Sequence, residues 1–79
     1  IVFTNNSFNH GIEIYDSENI KFDKNQISSG NHDGFYLRNV NKNIDLTLNI
    51  IDVPSNRECV RIQSTTSNSE VNDSNNNCL

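Results

Sequence analysis

Seventy-nine residues with a net charge of −4 and 33% hydrophobic side chains suffice for one small domain, and are too few to bury a sizeable two-layer core. The lysines and arginines are scattered along the sequence without a basic stripe, which sets nucleic-acid binding aside, and no apolar run approaches a membrane span. Low hydrophobicity and abundant asparagine also suit a disordered chain, but the apolar residues of positions 1 to 63 recur too regularly for that.

The chain begins in mid-pattern and without Met. Ile1 and Phe3, then Asn6, then Phe8, read as the second half of a repeat unit, so a piece of a longer protein is expected. The first full unit is "GIEIYDSENIKFDKNQI". Its apolar residues come in pairs, Ile12/Ile14 and Ile20/Phe22, with Ile27 beyond Asn25. A second unit repeats this from Gly34: Phe35/Leu37, Asn43, Ile44/Leu46, Asn49, Ile51. A third starts at Cys59 with Val60/Ile62 and continues through Asn68 to Ser69/Val71.

An i, i+2 pair is a strand of two or three residues with one buried face. Strands that short find no partner within their own unit. They pair with the same strand of the next unit, about 4.8 Å away. The Asn, Gly, Ser and Asp between pairs tolerate turns, including the left-handed conformation. Asn6, Asn25 and Asn49 recur at one corner, where stacked amides can bond along the stack, so both Asn25 and Asn49 are expected in the left-handed or a similar turn conformation with inward side chains. The predicted fold is all-β: a right-handed parallel β-helix of three sheets and three to four coils over residues 1–63. Its expected inward columns are Ile1, Ile20, Ile44; Phe3, Phe22, Leu46, Val71; Phe8, Ile27, Ile51; Ile12, Phe35, Val60; and Ile14, Leu37, Ile62. Residues 64–79 read as a degenerate last coil or a flexible Ser/Asn-rich tail.

Outward residues of the sheet made by the Ile12/Ile14, Phe35/Leu37 and Val60/Ile62 pairs form two columns, Glu13, Tyr36, Arg61 and Tyr15, Arg38, Gln63. Tyrosine rings stack on sugars and arginine grips carboxylates bidentately, although both are also ordinary strand exterior. Just before the three strands stand His10, Asp33 and Glu58. Two carboxylates one coil apart, Asp33 and Glu58, are candidates for general acid–base work on glycosides; the plainer reading is polar turn residues. Cys59 and Cys78 make one bridge or two buried thiols. Nothing suggests zinc or a cofactor.

The repeat resembles the right-handed parallel β-helix of the pectin-lyase type. Within it, "NHDGFYLRNVNKNIDLTLNIIDVPSNRECVRIQS" is similar to the central stretch of polygalacturonase-type glycoside hydrolases. Asn31, Asp33 and Gly34 match that family's N-T-D-G, Cys59 matches the cysteine of its D-D-C, and Cys78 stands about where the disulfide partner falls. The resemblance implies that Asp33 and Glu58 activate water in an inverting hydrolysis. The family's D-D is Arg57-Glu58 here, its G-H-G and R-I-K motifs are absent, and Gln63 stands where it often has Lys. Mannuronan epimerases would require His where Tyr15 stands. The expectation is thus a secreted or cell-surface polysaccharide-active protein, a glycoside hydrolase or uronate lyase, with His10, Tyr15, Tyr36, Arg38, Arg57 and Arg61 contacting the glycan. The alternative is a non-catalytic stalk, adhesin or phage-fibre module.

Overall fold

The computed structural model describes residues 1–63 and 70–79, and every regular element among them is a strand. In chain order these are β1 (Val2–Thr4), β2 (Ser7–Phe8), β3 (Ile12–Tyr15), β4 (Glu18–Asp23), β5 (Gln26–Ser28), β6 (Phe35–Arg38), β7 (Lys42–Thr47), β8 (Ile50–Asp52), β9 (Val60–Gln63), β10 (Val71–Ser74) and β11 (Asn77–Cys78). They form three all-parallel sheets, ordered β1–β4–β7–β10, β2–β5–β8–β11 and β3–β6–β9. The chain visits the three sheets in a fixed order and starts again. Each strand therefore bonds to strands one circuit away, an arrangement consistent with a parallel β-solenoid.

The corners explain why the strands stay short. Asn5, Lys24, Leu48 and Asn75 take positive φ, between 55° and 59°, at the same corner of successive circuits. Asp16 and Asn39, and Asn19 and Asn43, do the same at two others. A left-handed residue turns the chain sharply, and Asn and Asp bear it best among residues with a side chain. Directly after the first corner comes a buried ladder. Asn25 N–H and Nδ2 donate to Asn49 Oδ1 at 2.9 and 3.1 Å, and Asn49 N–H and Nδ2 both donate to Asn76 Oδ1 at 2.9 Å. Each Nδ2 also donates backward, Asn25 to Phe3 O, Asn49 to Phe22 O and Asn76 to Leu46 O. Asn6 N–H also donates to Asn25 Oδ1 at 2.9 Å, so successive steps span 19, 24 and 27 residues, and the corners absorb these length differences while the ladder keeps register.

The core is Ile14, Phe22, Ile27, Phe35, Leu37, Ile44, Leu46 and Ile51, all buried. Phe3 stacks on Phe22 with centroids 4.5 Å apart, and Phe22 meets Phe35 edge-on at 5.2 Å. The expected registers Ile12, Phe35, Val60 and Ile14, Leu37, Ile62 are present. Four expectations are corrected. Ile1, expected inward with Ile20 and Ile44, is 72% exposed. Ile62 is 49% exposed, because β9 is the outermost strand of its sheet. Val71 pairs with Ile44, so it is Asp73 that falls in the Leu46 column. The longer connection after Gln63 shifts the alignment, and the Asn68 and Ser69 on which that alignment rested lie outside the described residues. The left-handed residue is the one before each ladder asparagine, Lys24 and Leu48 rather than Asn25 and Asn49. An inward side chain needs a strand-like residue, so the turn falls one position earlier. Cys59 and Cys78 form a disulfide, with Cα atoms 5.9 Å apart, that ties the entry of β9 to β11.

Candidate functional site

The outward face of β3–β6–β9 and the turns leading into it hold the expected residues. Parallel pairing sets Glu13 beside Tyr36 and Tyr36 beside Arg61, with Tyr15, Arg38 and Gln63 in the next column. The side chains interlock. Arg38 Nη1 donates to Glu13 Oε1 at 3.1 Å, while its guanidinium lies 5.3 Å from the Tyr15 ring centre and 5.5 Å from that of Tyr36. Arg61 covers Tyr36 at 4.5 Å, and the Tyr36 hydroxyl donates to Gln63 Oε1. The hydrogen bond to Glu13 is the main reason Arg38 gives up its proton still less readily than an ordinary arginine, against an opposing effect of burial. It stays charged at every working pH. Tyr15 is the ring left half open, whereas Tyr36 is largely roofed by arginine.

Asp33 sits in the turn before β6 and is only 7% exposed. Its Oδ1 accepts the Glu58 backbone N–H at 2.9 Å, and its Oδ2 lies 3.5 Å from Arg61 Nη1. Asp33 thus joins two circuits as a buried acceptor. Glu58 contributes its backbone to that bond while its side chain is exposed, as is Arg57. Gly34, next to Asp33, permits the approach, since a Cβ there would overlap the Cys59 carbonyl and Ile51 Cγ2. Asp33 borders two shallow hollows. One is lined by His10, Glu13, His32 and Tyr36, the other by Asn56, Arg57, Glu58 and Arg61.

His32 and Asn56 are the residues that sequence reasoning missed. His32 stacks against His10 with centroids 4.2 Å apart and planes 36° from parallel. His10 directly precedes Gly11, but His32 stands two residues before Gly34, so a position-by-position alignment pairs His10 with Asp33. A close backbone approach brings the rings together: a Cβ on Gly11 would lie 2.9 Å from His32 Cβ. No group of three or more His, Cys, Asp or Glu side chains among the described residues is arranged to hold a metal ion. Among them also, no helix is long and apolar enough to cross a membrane. No protein-family model matches the chain, and comparison with curated proteins and with solved structures gives no significant match.

Proposed function

We propose that the chain is a segment of a secreted or surface right-handed parallel β-helix of the pectin-lyase type, whose β3–β6–β9 face binds an acidic polysaccharide without cleaving it. One observation carries the reading. Both tyrosines, both histidines and every arginine of the chain lie on this sheet or in the turns entering it, while the lysines lie elsewhere. An overall acidic chain has no solubility reason to gather its arginines on one face. Guanidinium groups beside aromatic rings are the chemistry that grips sugar carboxylates and stacks on pyranose faces. Right-handedness is supported by the strong preference of parallel crossovers for that hand, and secretion by the disulfide.

A catalytic reading is favoured by one feature, the exposed Glu58 sharing a hollow with Asp33. Against it, acid–base catalysis needs a carboxyl group free to exchange its proton with substrate, and both oxygens of Asp33 are engaged within the protein. The test is titration of the chain with polygalacturonate, alginate and a neutral glucan, followed by assays for new reducing ends and unsaturated products. The expected result is binding of the two uronates, weakened by salt, with no turnover. Arg38→Ala and Arg61→Ala each should weaken it by about tenfold. Turnover lost in Asp33→Asn or Glu58→Gln would restore the hydrolase reading, and failure to bind either uronate would end the binding one.

A further inference from the structure

We propose that His10 and His32 form a proton-gated subsite for one carboxylate of the polysaccharide, so that the face binds uronates more tightly as the medium becomes mildly acidic; this rests on the acidic-polysaccharide reading above. The rings are exposed and stacked, 4.2 Å between centroids. That spacing argues against a shared metal ion. Two imidazoles at metal–nitrogen distances of about 2.0–2.1 Å and a tetrahedral angle splay their ring centres to about 5 Å. His10 Nδ1 lies 2.9 Å from the Gly11 carbonyl, which only accepts, so a hydrogen bond there uses the Nδ1 hydrogen and leaves Nε2 for outward contacts.

The charges around the pair decide what it attracts. Glu13 on β3 is bound to Arg38 of β6, Asp33 in the turn before β6 lies against Arg61 of β9, and Tyr36 is an uncharged phenol. These groups cancel, so the imidazoles set the sign of the hollow. With both neutral it offers hydrogen bonds only. With both protonated it holds two positive charges that repel unless an anion lies against them. Imidazole is the side chain that ordinarily changes charge between pH 5 and 8, whereas sugar carboxylates remain ionised there. A uronate would thus bind together with protons, beside the Arg57 and Arg61 hollow that shares Asp33.

The experiment is calorimetric titration of the disulfide-intact chain with an oligogalacturonate at pH 7.5 and pH 5.5, with a neutral glucan oligomer as control. Affinity for the uronate should be about threefold to tenfold greater at pH 5.5, the scale of two exposed ion pairs. In His10→Gln/His32→Gln the ratio between the two pH values should fall to about one, whatever the affinity at pH 7.5. His32→Arg, a permanent cation, should reduce the ratio by tightening binding at pH 7.5. Uronate binding with no pH dependence overturns the subsite while leaving the binding face standing. A ratio that persists in the double variant, or that the neutral glucan shares, also overturns it. No binding at either pH removes both proposals.

Discussion

Asn49 accepts two hydrogen bonds from Asn25 and donates one to Phe22 O, all buried, and donates two more to the half-buried Asn76. Asn49→Ala would leave the Asn25 N–H buried without its acceptor and would remove the side-chain bonds to Asn25, Phe22 and Asn76. An unsatisfied buried group costs on the order of 1–3 kcal/mol, so about 3 kcal/mol should be lost in urea unfolding, against under about 0.5 kcal/mol for exposed Asn9→Ala. Leu48 is the converse case. It adopts φ 55° with its apolar side chain half in solvent, at a corner where two other circuits place Asn. The left-handed conformation costs an ordinary residue roughly 1–2 kcal/mol, and Asn recovers part of this by local hydrogen bonding. Leu48→Asn should therefore raise stability by about 0.5–1 kcal/mol, read from the shift in the unfolding midpoint.

At the scale of elements, β10 and β11 pair through their backbones with β7 and β8, and two further ties fasten them, the Asn76 rung and the Cys59–Cys78 bridge. Half of the β10 residues and both of β11 are exposed, and none is fully buried. The bridge closes a loop of sequence separation 19, which constrains the unfolded chain by about 3 kcal/mol. Cys59→Ser/Cys78→Ser should lose about that much, and amide exchange should rise first in residues 70–79 while the Phe22–Leu46 core stays protected. The strands that alternate cleanly were legible in the sequence, because Ile12/Ile14 and Phe35/Leu37 leave only one way to bury a face. β10 was misregistered because Val71 alone marks it, and one apolar residue fixes no phase. Asn76 went unread as a rung because Asn75 and Asn77 flank it, and composition cannot tell which of three asparagines faces inward. The outward columns were legible from the same alternation. Their mutual engagement was not: the Arg38–Glu13 pair and the Arg61–Tyr36 stack depend on side-chain reach rather than on register.

The two ends of the molecule differ. The first circuit exposes Ile1 at 72% and Val2 at 63% on strands with a free edge. Unprotected edges with apolar side chains invite pairing. The 79-residue chain is therefore expected to associate with rising concentration in sedimentation velocity, and Val2→Lys to shift it toward monomer. The last circuit also exposes apolar side chains, Ile62 at 49% and Leu79 at 66%, but it adds a charge. Asp73 occupies the column of Phe22 and Leu46, with its Oδ1 receiving Asn76 Nδ2 at 2.6 Å. Any coil laid over β10 would have to bury that carboxylate, whereas a coil laid against β1 meets only Phe3 and its neighbours. For the 79-residue chain by itself, association is expected to favour the β1 end, where two copies can pair into a closed dimer, because pairing at the other end would bury the Asp73 carboxylate. Asp73→Leu should remove that obstacle and convert a sedimenting pair into a polydisperse series.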